Sequence, residues 1–217
     1  MALQCGIVGL PNVGKSTLFN ALSNAKAQSA NYPFCTIEPN IGVITVPDNR
    51  LNQLAEIVNP EKILPTTVEI VDIAGLVKGA SKGEGLGNMF LGNIRNTDAI
   101  IHVIRCFDDD NIIHVDGTVN PIRDKEVIDI ELQLKDLESI EKRMSKYHRS
   151  ATNGEKESKK IYEQLNTIKK GLEAGISARA IKQEEELHED ISDLNLLTSK
   201  PILYVCNVDE NSIKNGN

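Results

Sequence analysis

The sequence contains no tryptophan, and only 4% of its 217 residues are aromatic, so its hydrophobic core must be mainly aliphatic. It also lacks any uninterrupted apolar run of about 18 residues, which is the length that a membrane-spanning helix needs. The amino terminus has no basic segment of the kind that begins a secretory signal peptide. These absences predict a cytoplasmic protein without a membrane anchor.

Cysteine is scarce, and the four cysteines at positions 5, 35, 106 and 206 form no C-x-x-C pair. Cysteine metal sites and redox motifs need such close pairs, and disulfide frameworks belong to secreted chains. We therefore expect reduced thiols, most of them buried in strands. The net charge of −7 argues against a surface that is basic throughout, although it is compatible with a local basic patch.

Five apolar segments rich in β-branched residues predict strands, and helical spacing appears between them. The predicted strands are LQCGIVGL, IGVITVP, TTVEIVDIAG, DAIIHVIRCF and KPILYVCN, and the predicted helices among them are KSTLFNALSNA and RLNQLAEIV. Strands that alternate with helices predict an α/β fold with a mainly parallel sheet covered by helices on both faces.

The pattern changes near residue 125, where apolar residues begin to recur every three or four positions. This spacing predicts two antiparallel helices with one apolar seam, separated by the polar segment RSATNGE. A third helix is predicted over about 178–197, with one apolar face. The predicted seam residues are Val127, Ile130, Leu134, Leu137 and Met144, then Ile161, Leu165, Ile168 and Leu172, and those of the third helix are Ile191, Leu194 and Leu197.

Charge is unevenly distributed along this helical insert. Residues 139–170 carry nine Lys or Arg and four Asp or Glu, whereas residues 171–200 carry three and seven. One interpretation is a solvated face with ion pairs between successive helical turns. The other is a surface that binds RNA phosphates. The basic residues around the predicted hairpin tip are Lys142, Arg143, Lys146, Arg149, Lys156, Lys159 and Lys160.

The segment GLPNVGKST follows a predicted strand, opens a predicted helix and fits the phosphate-loop pattern G-x-x-x-x-G-K-[ST]. Glycines let such a loop turn its N–H groups inward, and the start of the helix adds positive charge. Lys15 can reach the β- and γ-phosphates, and the Ser16 hydroxyl can bind Mg²⁺. The predicted nucleotide contacts here are Gly9, Asn12, Val13, Gly14, Lys15, Ser16 and Thr17.

A second motif, in VEIVDIAG, supplies an acidic residue and a glycine that a triphosphate site needs. Asp72 ends an apolar strand, and Gly75 follows three residues later. A carboxylate there can hold Mg²⁺ through water, and the glycine N–H can meet the γ-phosphate. Thr36, in NYPFCTIEPNIG, is the predicted switch threonine. The predicted magnesium ligands are Ser16, Thr36 and, through water, Asp72.

The residue directly after this motif is Leu76, where many small GTPases carry a glutamine that orients the attacking water. His114 lies in a loop that leaves a strand end, and it is the candidate for this role, with Lys78 and Arg95 as alternatives. A histidine that only packs in its loop is the competing interpretation. If His114 acts on water, His114→Ala lowers turnover by at least roughly tenfold while nucleotide affinity stays nearly unchanged.

GLPNVGKST, NYPFCTIEPNIG, DIAGLVKGASKGEGLGN and NVDE, with a helical insert before the last, closely resemble the YchF subfamily of Obg-like ATPases over essentially the whole chain. The resemblance implies ribosome association and hydrolysis of ATP in preference to GTP. The expected domains are a nucleotide-binding domain over 1–124, a helical coiled-coil insertion over 125–199, and a return strand with the base-recognition segment over 200–217. Family members continue into a TGS domain, so we expect this sequence to be a fragment or a truncated form, with an exposed sheet edge or an incompletely covered sheet face.

The segment NVDE departs from the guanine-reading pattern N-K-x-D, because Val208 replaces lysine and Glu210 replaces aspartate. Glutamate is one methylene longer, so it cannot hold guanine in the same bidentate geometry. The Asn207 amide can still pair with N6 and N7 of adenine. These residues predict that ATP binds at least as well as GTP. Related translational NTPases hold K⁺ with an asparagine in the phosphate loop, so Asn12 also suggests K⁺ as a second cofactor.

The predicted function is a Mg²⁺-dependent P-loop hydrolase that prefers ATP, accepts GTP, and regulates translation or stress responses on the ribosome or its RNA. One alternative is a GTPase switch in which Glu210 still reads guanine. Another is a nucleotide-gated module that binds RNA or the ribosome with little turnover. A metabolic P-loop kinase is disfavoured, because the D-x-x-G switch and the helical insert have no use there.

Overall fold

A computed structural model describes residues 2–23, 40–73, 75, 79, 87–181 and 189–215. The strands are β1 (Leu3–Val8), β2 (Asn40–Thr45), β3 (Thr67–Asp72), β4 (Ala99–Arg105) and β5 (Ile202–Asn207). The helices are α1 (Lys15–Ser23), α2 (Asn49–Val58), α3 (Gly87–Arg95), α4 (Pro121–Thr152), α5 (Lys156–Glu173), α6 (Glu189–Ser192) and α7 (Ser212–Asn215). Short 3₁₀ helices lie at Ala178–Ala180 and Leu197–Ser199. Among the helices in these ranges, none is both long and apolar enough to cross a membrane.

The five strands form one sheet in the order β2-β3-β1-β4-β5. All neighbouring pairs are parallel except β2 and β3, which are antiparallel. The prediction of a mainly parallel sheet is therefore confirmed. The exception arises because the connection from β2 to β3, which includes α2, begins and ends at the same end of the sheet. The two strands therefore pair as the arms of a wide hairpin.

Consecutive residues are buried in the two central strands, at 5–8 in β1 and 100–105 in β4. Since successive side chains in a strand point to opposite faces, both faces of the central sheet are covered. Helix α1 packs on β1, β2 and β3, and α4 packs on β4. The edge strand β5 differs, because its Leu203 side chain is 61% exposed. Because side chains project from the faces of a sheet, this exposure indicates that one face is incompletely covered at β5 among the described residues.

Helix α2 forms where its spacing predicts it. The Asp48 side chain caps its start by accepting a hydrogen bond from the Arg50 N–H at 3.0 Å, and Asn59 ends it in a left-handed conformation. However, none of its residues is buried in the described structure, and Leu54, Ile57 and Val58 are exposed. The periodicity thus identifies the helix but not a covered face.

The helical insert begins four residues earlier than predicted, at Pro121, because the Asn120 side chain caps the helix by accepting from the Arg123 N–H at 3.1 Å. The predicted polar break at 149–155 shrinks to 153–155, since α4 continues to Thr152. The hairpin prediction itself is confirmed, because α4 and α5 pack along each other.

The predicted seam is partly wrong in the first half of α4. Ile130 and Leu134 are exposed, whereas Ile128 and Leu132 are buried in the core of the sheet. The reason is that this half of the helix covers the sheet, so its buried face is not the one that faces α5. The second half packs Ile140 into a separate core with all four predicted residues of α5, which are Ile161, Leu165, Ile168 and Leu172.

The predicted third helix over 178–197 is wrong in the residues that the structure describes there. Only short helical turns appear, at 178–180 and 189–192, and residues 193–196 are not helical; residues 182–188 lie outside the described ranges. The buried Asp136 carboxylate accepts hydrogen bonds from the N–H groups of Leu197 and Thr198, at 2.7 and 2.8 Å, and from the Thr198 hydroxyl at 2.7 Å. These bonds hold a tight turn that directs the chain into β5. A helix continuing through residue 197 would direct the chain away from the sheet.

Candidate nucleotide-binding site

The predicted phosphate loop joins β1 to α1 at the carboxyl end of the parallel strands, which is where sheets of this kind place their ligand crevice. Two of its glycines permit close contacts. A Cβ atom on Gly9 would lie 2.5 Å from the Val103 carbonyl oxygen, and one on Gly14 would lie 2.5 Å from the Asn207 Nδ2 atom. Gly14 also has a φ of +100°, which other residues rarely adopt. Val13 is buried beneath the loop, whereas Asn12, Ser16 and Thr17 are exposed.

Lys15 lies inside the loop rather than on its surface. Its side chain is buried, and Nζ donates a hydrogen bond to the Leu10 carbonyl oxygen at 2.7 Å. Burial lowers the pKa of Lys15 to about 8, although the negative charge of Asp72 opposes this shift. The loop thus holds a desolvated ammonium group that gains stability when a phosphate approaches.

The two motifs meet at the start of α1. The Ser16 hydroxyl donates to the Asp72 carboxylate at 3.3 Å, which brings together two of the three predicted magnesium ligands. Burial raises the pKa of Asp72, while the Ser16 hydrogen bond and the Lys15 charge oppose the shift. Thr36, the third predicted ligand, lies outside the described residues, as do Leu76 and Lys78.

Gly75 packs directly against the phosphate loop. A Cβ atom at this position would lie 3.2 Å from Lys15 Nζ and 3.2 Å from the Pro11 nitrogen. Glycine therefore allows the chain after β3 to approach the lysine that is expected to contact the terminal phosphates. The contact of Gly75 with the γ-phosphate stays a prediction.

Asn207, at the end of β5, reaches the phosphate loop as well. Its side-chain Nδ2 atom donates to the Val13 carbonyl oxygen at 3.0 Å. Its backbone carbonyl oxygen accepts from the Cys106 N–H at 2.7 Å. Val208 is half-buried and Glu210 is exposed. Between them, the Asp209 carboxylate accepts a hydrogen bond at 2.9 Å from the N–H of Ser212, the first residue of α7. The structure thus brings Asn207 to the loop and leaves the Glu210 carboxylate in solvent.

His114 is buried, and both of its ring nitrogens have partners. Its Nε2 lies 2.8 Å from the Asp124 carboxylate, and Nδ1 accepts from the Asp116 N–H at 3.1 Å. A neutral ring therefore carries its proton on Nε2, directed at Asp124, and offers water no accepting nitrogen in this arrangement. The geometry favours the interpretation of a packed loop histidine over a role in orienting water.

Sequence reasoning missed Arg105, the last residue of β4. Its guanidinium is buried and donates to three backbone carbonyls, those of Phe107, Asp109 and Ile112, at 3.0, 3.2 and 2.9 Å. These bonds order the acidic loop after β4. The same loop contacts the phosphate loop, because Asn12 Nδ2 donates to the Ile113 carbonyl at 3.1 Å. An arginine that ends an apolar strand ahead of DDDN is the signal that could have identified it.

Comparisons with known proteins identify a family and relatives for this chain. The family model described as 50S ribosome-binding GTPase matches residues 4–208. The chain is 56% identical over 213 residues to the "Ribosome-binding ATPase YchF" of Bacillus subtilis (strain 168), which covers 98% of this chain and 58% of that protein. It is 56% identical over 216 residues to the protein of the same name in Escherichia coli O157:H7, with coverage of 100% and 60%.

The solved structure of the Schizosaccharomyces pombe YchF GTPase superposes with a TM-score of 0.74 at 40% sequence identity, covering 97% of this chain and 57% of that one. The chain spans 58% to 60% of the length of these two curated relatives. It belongs to the 50S ribosome-binding GTPase family and, within that family, to the YchF subfamily of P-loop proteins.

Proposed function

We propose that this chain binds a nucleoside triphosphate with Mg²⁺, hydrolyses ATP in preference to GTP, and does so in association with the ribosome. The observation that carries the proposal is the hydrogen bond between Ser16 and Asp72, which joins the phosphate loop to the second motif beside Lys15. Outside nucleotide chemistry, a buried lysine next to this hydroxyl–carboxylate pair has no evident use.

The residues present fit a magnesium ion. The Ser16 hydroxyl and the Asp72 carboxylate are hard oxygen ligands, and their separation of 3.3 Å lets both face one small cation, directly or through water. Thr36 is the proposed third ligand. When bound, Mg²⁺ would neutralise negative charge that develops on the phosphates. Ser16 directly and Asp72 through water would hold the ion, Lys15 would hold the terminal phosphates, and the Gly75 N–H would meet the γ-phosphate.

A monovalent cation is the second proposed cofactor. The contact between Asn12 and Ile113 uses the amide nitrogen of the side chain, whereas K⁺ binds to oxygen. The Asn12 carbonyl oxygen is the atom that would hold K⁺ near the phosphates. The proposal predicts faster turnover in K⁺ than in Na⁺.

The preference for ATP rests on the residues after β5. Asn207 is already held at the phosphate loop, and Glu210 replaces the aspartate that reads guanine. The side-chain amide of Asn207 offers a donor for the N7 acceptor of adenine and an acceptor for its N6 donor. Guanine loses its charged bidentate partner, so ATP is the preferred substrate and GTP the weaker one.

The ribosome is proposed as the partner because the curated relatives are named ribosome-binding ATPases, and because the insert carries a basic surface. A groove between the end of α3 and the face of α4 is lined by five basic side chains and by Glu138 as its acidic residue. The basic residues are Arg95, Lys135, Lys142, Arg143 and Lys146. Phosphates of ribosomal RNA match this charge. A chain that acts on ribosomes works in the cytoplasm.

The experiment that tests this proposal measures phosphate release from ATP and GTP by the purified chain, with Lys15→Ala as the inactive control. We expect ATP turnover in the parent that requires Mg²⁺ and is lost in the variant, while the variant keeps its helical circular dichroism spectrum. Tight ATP binding without turnover, alone or with ribosomes, would contradict hydrolysis and leave the alternative of a nucleotide-gated binding module.

A further inference from the structure

Two described residues of the segment from Gly75 to Arg95, here called the second switch, donate hydrogen bonds to helix α4 of the insert. The Gly79 N–H donates to the Glu131 carboxylate at 2.6 Å. Arg95, the last residue of α3, donates to the Ser139 hydroxyl at 3.0 Å. Glu131 and Ser139 are separated by about two helical turns, so both ends of the region between Gly79 and Arg95 contact one stretch of a single helix.

Glu131 is one of three buried carboxylates of α4, with Asp124 and Asp136, and only 4% of its surface is exposed. Its neighbours Ile128 and Leu132 are buried in the core of the sheet, so this part of α4 packs on the sheet. Burying a charged group is costly unless hydrogen bonds compensate for the lost water. The hydrogen bond from the Gly79 N–H is one such compensation.

Gly79 lies four residues after Gly75, which packs against Lys15 in the phosphate loop. This short connection means that the position of Gly79 constrains the position of Gly75. A shift of α4 therefore reaches the proposed γ-phosphate contact through few covalent bonds. In the other direction, a change at the γ-phosphate alters the hydrogen bond at Glu131.

We propose that Glu131 is a positioning residue that holds the second switch through the Gly79 N–H and couples nucleotide hydrolysis to contacts made by the far half of α4. The same helix continues without a break to Thr152 and carries the basic residues Lys142, Lys146 and Arg149 toward the hairpin tip. An RNA bound at the tip thereby acts on the switch, and by linkage the nucleotide acts on RNA affinity. This inference rests on the proposed function.

The test compares Glu131→Ala and Glu131→Gln with Glu126→Ala, a control that removes an exposed carboxylate from the same helix. We expect Glu131→Ala to lower kcat about tenfold, with the Kd for a non-hydrolysable ATP analogue changed less than about twofold, since a charge-assisted hydrogen bond to the switch is lost. Glu131→Gln keeps an accepting oxygen, so its decrease in kcat should be about half as large on a logarithmic scale. Glu126→Ala should match the parent.

Hydrogen–deuterium exchange of a peptide that contains Gly79 supplies a readout that does not need turnover. We expect faster exchange in Glu131→Ala than in the parent, and no change in the control. If the parent hydrolyses nothing, the proposed function fails, while the exchange result still decides the role of Glu131. Unchanged exchange at Gly79 in Glu131→Ala would overturn the inference. If that variant does not fold, an unchanged kcat together with unchanged exchange in Glu131→Gln would overturn it.

Discussion

Asn207 shows how much of the candidate site depends on single side chains brought together from distant parts of the sequence. Its amide contacts the phosphate loop because Gly14 has no Cβ atom in the way. Sequence alone indicates that both residues belong to a nucleotide site, since each lies in a known pattern. It does not indicate that they touch. Arg105 escaped prediction for a related reason, because its three carbonyl partners become its neighbours only when the loop after β4 folds.

The buried side chain of His102 makes the stability of the fold depend on pH. The side chain is 1% exposed, lies beside the Tyr204 ring, and has an unpartnered Nδ1 among the described residues. Burial lowers the pKa of His102 from its ordinary 6.5 to about 4, despite the opposing charge of Asp129. Between these values the unfolded chain binds a proton that the folded chain does not. The contribution of the neutral His102 to the free energy of unfolding is therefore fully present above pH 6.5 and is lost as the pH falls toward 4.

We expect the free energy of unfolding to fall by about 2 kcal/mol between about pH 7 and pH 5 because of this one histidine. His102→Leu, which cannot bind a proton, should lose that much less stability over the same interval, whatever its stability at neutral pH. Urea unfolding followed by circular dichroism at the two pH values measures the difference. Identical losses in the parent and in the variant would exclude His102 as the cause.

At the scale of elements, α4 shows where periodicity is a reliable guide and where it is not. Its existence and the packing of α5 follow from apolar spacing, because one face of a helix must be buried. The face buried by its first half does not follow, because that half packs on the sheet while the second half packs on α5. The turn at 197–199 was missed because the Asp136 carboxylate, distant in sequence, holds its N–H groups.

The basic hairpin gives the prediction for this scale. Lys146 and Arg149 are exposed on the distal half of α4, where RNA phosphates can reach them. Reversing both charges with Lys146→Glu and Arg149→Glu should weaken ribosome binding roughly tenfold and flatten its dependence on salt, since each lost phosphate contact reduces counterion release. Co-sedimentation with ribosomes across a salt series measures both effects, and nucleotide affinity should stay unchanged.

The matched control reverses the same two residue types away from the hairpin, with Arg50→Glu and Lys62→Glu. Both side chains are exposed, and they lie at α2 and in the loop after it. This control should bind ribosomes as the parent does. If both pairs of substitutions weaken ribosome binding equally, the effect is due to net charge alone. If the Lys146 and Arg149 substitutions do not weaken it, the basic residues of the hairpin form only a solvated face.

At the scale of the whole molecule, the sheet and the hairpin form two cores that share α4. The phosphate loop, the parallel strands and the inserted hairpin could all be predicted, because each has a local sequence signature. The connections between the cores could not, since they consist of single contacts such as those of Glu131 with Gly79 and of Arg95 with Ser139. These contacts join the proposed catalytic site to the proposed partner surface.

The most direct measurement for this account is equilibrium competition between ATP and GTP for the purified chain, with Mg²⁺ and without ribosomes. The departures at Val208 and Glu210 predict that ATP binds at least as tightly as GTP. The double variant Val208→Lys, Glu210→Asp restores the guanine-reading pattern and should shift the preference toward GTP by roughly tenfold or more, the effect of a regained charge-assisted pair. A parent chain that already binds GTP more than roughly tenfold tighter than ATP would contradict the account.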